Sequence, residues 1–127
     1  MNEVKIYRCK HCGNIITKIY DSSVKVVCCG EEMEELIPNT TDASFEKHVP
    51  KIGNGGHMID IKIGEVEHPM EEEHYIMWIV LVTESGMQLK YLHPTELPEA
   101  SFTLIDDKAI SVFAYCNIHG LWKKDIK

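Results

Sequence analysis

"HYIMWIVLV", residues 74–82, carries apolar side chains on both faces of an extended chain. A strand with one wet face alternates apolar and polar positions, so this unbroken β-branched and aromatic run predicts a central strand covered on both sides. Upstream, "HMIDIKIG" (57–64) does alternate, with Ile59, Ile61 and Ile63 on one face and Met58, Asp60 and Lys62 on the other. Downstream, "MQLKYL" (87–92), "ASFTLI" (100–105) and "AISVFAY" (109–115) follow at a spacing of about ten residues with Gly, Pro and Asp between them. No segment shows the 3.6-residue apolar stripe of a helix. The pattern predicts an all-β protein whose larger part is an antiparallel β-sandwich of immunoglobulin or fibronectin-III-like type. No internal repeat or low-complexity segment interrupts it.

Before these strands the character of the chain is different. Four of the five cysteines precede Gly30, and the acidic stretch "EEMEELIPNTTD" (31–42) separates them from everything that follows. We therefore expect two units, residues 1–37 and residues 38–127, with the boundary near Ile37 and Pro38. The first is too small for a self-sufficient hydrophobic core, and a bound metal is one standard remedy. Short strands are expected there around Asn14–Tyr20 and Val24–Val27.

Composition narrows the partners. The 127 residues are 44% apolar and 26% charged, a globular balance, and thirteen basic against twenty acidic residues give a net charge of −7. Phosphate backbones need a basic surface, so no nucleic acid partner is expected. The N-terminal "MNEVKIYRCK" has no apolar run with a cleavage site, and no stretch approaches the roughly 20 apolar residues of a membrane-spanning helix. A cytoplasmic location without membrane attachment is the expectation. In a reducing compartment clustered cysteines are more often metal ligands than disulfides.

Cys9 and Cys12 form a C-x-x-C pair in "YRCKHCGN" (7–14), which lets two thiolates of one turn reach a single tetrahedral ion, with Gly13 turning the backbone amides toward sulfur. Cys28 and Cys29 complete a tetrathiolate set. Adjacent side chains start in different directions, so both reach one ion only with strain. A zinc ribbon would carry a second C-x-x-C, and by spacing alone zinc and iron remain equally acceptable. His11, inside the knuckle, reads as a solvated side chain.

The second constellation surrounds the remaining cysteine. Cys116 and His119, in "AYCNIHGLW" (114–122), lie three positions apart in a turn closed by Gly120. His68 precedes Pro69 in a loop, His74 opens the apolar strand, and His48, ahead of Val49 and Pro50, reads as part of an extended segment. Four imidazoles and one thiolate would fill five positions of an octahedron and leave one open, the mark of a catalytic site. His57 and His93 read as turn residues. Trp78, Trp122 and Tyr115 read as core and site-wall residues.

"CKHCGN" followed sixteen residues on by the vicinal "VCCG" resembles desulforedoxin, and "EKHVP", "HPMEEEHYIMWI" and "CNIHGLW" resemble the superoxide reductases of the two-iron desulfoferrodoxin class. The resemblance spans nearly the whole chain. It implies two irons per chain, one held by Cys9, Cys12, Cys28 and Cys29, the other by His48, His68, His74 and His119 with Cys116 as axial thiolate. It implies reduction of superoxide to hydrogen peroxide by one electron and two protons, without release of dioxygen. Lys47 is thereby assigned to attracting the anion and supplying protons through water, and Glu46 to the open position in the oxidised resting state. Rubredoxin or a similar small carrier as electron donor, and a homodimer, are implied in the same way. The acidic run Glu71–Glu73 reads as a solvated loop that would oppose steering of superoxide if it faced the site. Competing readings are a structural module with zinc in both clusters, an electron carrier without turnover, and a dismutase, which would release dioxygen.

Overall fold

The computed structural model describes residues 3–40, 45–55, 57–64 and 66–126, with the side chains of residues 45, 46, 54 and 55 outside that description. The chain divides into two compact units, Met1–Ile37 and Pro38–Lys127.

In the first unit β1 (Ile6–Arg8) is paired with β2 (Ile15–Thr17), and β3 (Val27–Cys28) forms a separate two-stranded ladder with β4 (Glu31–Glu32); β5 (Glu34–Glu35) closes the first sheet on the other side of β1. All pairings are antiparallel. Among its described residues Ile6 and Cys9 alone are buried, while Ile19, Tyr20 and Val24 stand in solvent. Two buried side chains cannot offset the entropy of ordering such a unit, so something else must hold it. The expected strand at Val24–Val27 is reduced to its last residue. The Val24 carbonyl accepts a bond from Lys18 Nζ at 2.8 Å, and Asp21 and Ser23 build a local turn in place of a ladder.

The second unit opens with one helical turn, α1 (Phe45–His48), and is otherwise strands: β6 (Pro50–Gly55), β7 (Met58–Ile63), β8 (Ile76–Thr83), β9 (Met87–Tyr91), β10 (Glu99–Thr103), β11 (Ala109–Cys116) and β12 (Gly120–Asp125). They form two antiparallel sheets, ordered β10-β7-β6 and β12-β11-β8-β9. This is the antiparallel sandwich expected, built from seven strands divided three and four. Ile59, Ile61 and Ile63 are buried while Met58, Asp60 and Lys62 are exposed, as their alternation requires. β8 and β11 run side by side in the middle of the four-stranded sheet, and seven of the eight residues of each are buried.

Two strands and the helical turn were not visible in the sequence. β6 is rich in Gly, Asn and Pro, poor strand formers, and exists because it pairs residue for residue with β7 from Pro50↔Ile63 to Gly55↔Met58. β12 is an edge strand carried by β11. His48 ends a helical turn and is not extended; the disfavouring of helix ahead of Pro50 takes effect one residue later, at Val49.

Candidate metal centres

Register places the chemistry of the second unit at one end of its sandwich. Pro50, where β6 begins, pairs with Ile63, where β7 ends, and Cys116, where β11 ends, pairs with Ile76, where β8 begins, and with Gly120, where β12 begins. His48 precedes β6, His68 follows β7, His74 precedes β8 and His119 precedes β12, so all four flank this end.

The four imidazoles form a square of edge-to-face rings. Centroid separations run 4.6 Å (His48–His68), 4.8 Å (His68–His74), 5.1 Å (His74–His119) and 4.9 Å (His119–His48), and the diagonal His48–His74 is 6.4 Å. Ligating atoms of His48, His68, His74 and Cys116 all lie within 4.8 Å of one another. His119 Nδ1 stands 3.1 Å from His48 Nε2 and 4.0 Å from Cys116 Sγ. A separation near 3 Å is that of two ligands at right angles on one ion with metal–nitrogen bonds of about 2.1 Å.

Burial and bonding decide which atoms are offered. His68 is 1% exposed, and its Nδ1 must donate to the Pro69 carbonyl at 2.6 Å, which leaves the lone pair on Nε2. That Nε2 is buried without a partner, as is Nε2 of His74. Buried nitrogens are rarely orphaned in a folded protein, and a cation between them is the direct way to satisfy both. Burial, reinforced by the facing imidazoles, pulls His68 down to about 4, and burial also lowers His74, so both rings stay neutral as a metal requires. Cys116 is wholly buried, and burial pushes its thiol up; the N–H groups of His119, 3.4 Å from Sγ, and of Ile118 pull the other way. A thiolate in that position needs a cation, and the donor set fits iron.

The walls are specific. Trp122 stacks on His48 with centroids 4.7 Å apart and donates Nε1–H to the His119 carbonyl at 3.2 Å. Gly64, at φ +84°, lets the Lys47 backbone pass where a Cβ would come within 2.7 Å of its carbonyl, and Gly64 N–H holds the Val49 carbonyl at 3.0 Å. Lys47 is exposed, and its charge disfavours protonation of His74. The Glu46 side chain lies outside the described residues. Glu71 and Glu73 are exposed, as expected of a solvated loop, yet both favour the charged form of His74, so part of that run opposes Lys47. His57 and His93 are exposed and lie outside the cluster. Trp78 and Tyr115 stack on each other with centroids 5.7 Å apart. Sequence reasoning missed Gly64 and Asn117, whose side chain accepts Tyr75 N–H at 2.9 Å and donates to the Glu73 carbonyl at 3.1 Å. The one signal for Gly64 was a glycine at a strand end.

In the first unit Cys9, Cys12, Cys28 and Cys29 converge, with Cys12 Sγ 3.6 Å from Cys28 Sγ. Thiolates on a tetrahedral ion with metal–sulfur bonds of about 2.3 Å lie roughly 3.8 Å apart, so the set fits such an ion. Strain between the vicinal pair resides in the backbone: Cys29 adopts φ +54°, a left-handed conformation that turns both side chains inward. Gly13, at φ +84°, sends its own N–H to the Cys9 carbonyl, and Cys12 N–H reaches Cys9 Sγ at 3.5 Å. The Cys12 amide draws the Cys9 thiol down to about 6, whereas the neighbouring sulfurs, Cys12 foremost, push Cys29 up to about 12. Four thiolates so close coexist only around a cation. His11 is outside the set, its Nε2 2.8 Å from Glu31 Oε1, and Asn14 Nδ2 approaches Cys28 Sγ at 3.6 Å.

The family model described as desulfoferrodoxin matches residues 40–125, and that of the desulfoferrodoxin N-terminal domain matches residues 1–36. The chain belongs to the desulfoferrodoxin family. A desulfoferrodoxin homolog of Archaeoglobus fulgidus is 44% identical over 124 residues, covering 97% of this chain and 98% of its own. The desulfoferrodoxin of Nitratidesulfovibrio vulgaris is 42% identical over 98% of both chains. The crystal structure of superoxide reductase from Treponema pallidum superposes with a TM-score of 0.82 at 34% identity, covering 98% of this chain and all of that one. The one-iron superoxide reductase of Giardia intestinalis matches 65% of this chain and 98% of its own, at a TM-score of 0.56 and 36% identity. The two donor sets correspond to the family's two iron centres, Fe(Cys)4 and Fe(His)4(Cys).

Proposed function

We propose that this chain is a superoxide reductase that converts superoxide to hydrogen peroxide with one electron and two protons, releasing no dioxygen. The observation that carries the reading is the square of four imidazoles beside a buried cysteine, with two orphaned ring nitrogens aimed into it. Iron bound there by His48, His68, His74, His119 and Cys116 would supply reversible one-electron chemistry and a position for the anion. His48, His68 and Cys116 are buried, whereas His74 and His119 are only half-buried, which supports approach of a small anion from their side.

Lys47 attracts superoxide electrostatically and orders water that hands on protons. The net charge of −7 and the facing Glu71 and Glu73 make a local cation necessary for rapid capture. With iron bound, Glu46 would serve as a further ligand in the oxidised resting state, as the family resemblance implies. Neutral His68 and His74 need give up no proton to bind metal. In this reading residues 1–37 are the tetrathiolate domain and residues 38–127 the catalytic domain. Exposed Cys12 and Cys29 leave the first centre open to a small electron donor such as rubredoxin. Five free cysteines suit a reducing cytoplasm, where the chain detoxifies superoxide as a homodimer.

The test is to purify the protein without added metal, quantify iron and zinc, and follow visible absorption through stepwise oxidation. Two distinct transitions with about two irons per chain, followed by superoxide consumption that yields peroxide and no dioxygen, are expected. A colourless zinc protein returns the structural-module reading, and dioxygen evolution makes it a dismutase.

A further inference from the structure

At the metal-binding end of the sandwich the ladder between β8 and β11 loses its register. Tyr115 pairs with Trp78 but Cys116 pairs with Ile76, so Met77 is left as an extra residue. Such a bulge ends regular pairing with β11, and the segment ahead of β8, which bears His74, keeps only its own bridge between Glu71 and His74. Asn117 takes over. Its backbone N–H donates to the Tyr75 carbonyl at 3.2 Å, its Oδ1 accepts the Tyr75 N–H at 2.9 Å, and its Nδ2 donates to the Glu73 carbonyl at 3.1 Å.

A carboxamide carries the same acceptor and donor as a peptide group. Asn117 thus extends the sheet with its side chain, gripping the residues on either side of His74 from the turn that holds Cys116 and His119. Only asparagine offers both groups at this reach: aspartate lacks the donor, and serine has a single oxygen. We propose that Asn117 is a positioning residue that fixes His74 against Cys116 and His119 and so sets how firmly the His4Cys centre holds its metal. The inference rests on the iron-site reading above.

Asn39 supplies an internal comparison. Its carboxamide makes the same two kinds of bond, Oδ1 accepting Lys123 N–H at 2.9 Å and Nδ2 donating to the Lys123 carbonyl at 3.0 Å, on β12 rather than on a loop bearing an imidazole ligand. Full-length protein loaded with iron and chemically oxidised would be challenged with a chelator, and metal loss followed by the thiolate-to-Fe(III) charge-transfer band of the His4Cys centre, with the Fe(Cys)4 band as reference. Asn117→Ala should release the second iron about 10- to 100-fold faster, the range for groups that orient metal ligands. Asn117→Asp, which keeps the acceptor, should fall between it and wild type, and the band should shift in both variants while the Fe(Cys)4 band stays in place. Asn39→Ala should lower the melting temperature comparably and leave metal release unchanged.

Wild-type release rates and band positions in both Asn117 variants overturn the assignment, as does equal acceleration by Asn39→Ala, which would reduce the effect to general stability. If Asn117→Ala does not fold, Asn117→Asp alone decides by the same two readouts. A wild-type protein that takes up no iron at this site overturns the iron-site reading itself, and the inference with it.

Discussion

Replacing Gly64 by alanine tests how the Lys47–His48 segment is held. The new Cβ would lie 2.5 Å from the Val66 carbonyl oxygen and 2.7 Å from both the carbonyl carbon and oxygen of Lys47, all backbone atoms that cannot rotate away. The residue also sits at φ +84°, where an L side chain costs about 1–2 kcal/mol. Forcing a methyl into a packed site costs a further ~1–3 kcal/mol. The two together predict about 2–5 kcal/mol, a large share of the roughly 5–15 kcal/mol that stabilises a typical domain. Part of the clash is relieved by moving Lys47, and His48 moves with it, so iron uptake at the His4Cys centre should weaken as well. Both tryptophans, Trp78 and Trp122, are buried in the sandwich, so urea unfolding followed by intrinsic fluorescence reports this unit alone. With a slope of about 1–3 kcal/mol per molar urea, the midpoint should fall by roughly 1 M or more. A loss below about 0.5 kcal/mol, the range of an ordinary surface change, together with wild-type iron uptake, would refute the proposed packing.

Three further outcomes are expected. Lys47→Ala should slow second-order superoxide capture several-fold at low salt and flatten its ionic-strength dependence; an unchanged rate at low salt, measured by pulse radiolysis, removes Lys47 from steering. Trp122→Phe keeps a ring against His48 but loses the bond to the His119 carbonyl, so the sandwich should lose at least about 1 kcal/mol and the thiolate absorption band should shift, both readable on one sample. Asp107 is held down to about 2 by the Ser85 hydroxyl, 2.6 Å from Oδ2, with help from Thr83, so its ionised form stabilises the fold above the ordinary carboxylate range and that contribution fades as pH falls toward 2. Ser85→Ala should raise the Asp107 titration seen by NMR, and its stability deficit should be full at pH 7 and vanish near pH 2; a deficit independent of pH contradicts the assignment.

The strands that bury a face were legible because burial writes a period into the sequence. β7 showed its alternation and β8 its double-sided apolar run. β6 and β12 carried no such mark, since each exists by pairing with a neighbour that supplies the order. The nine cysteine and histidine positions could be picked out from residue type and spacing, and the family motifs joined them into two sets.

What the sequence alone determined is therefore chemical: which donors are present, that the second set holds more of them than a four-coordinate structural zinc site takes, and that the first unit is small enough to call for a metal. The tertiary structure decided everything that depends on direction. It turned Cys29 into a left-handed conformation, closed four rings into a square, left Nε2 of His68 and His74 orphaned, and set Asn117 to continue a ladder broken by a bulge. Those features arise between residues as many as 71 positions apart, such as His48 and His119, and no local pattern encodes the angle at which two distant segments meet.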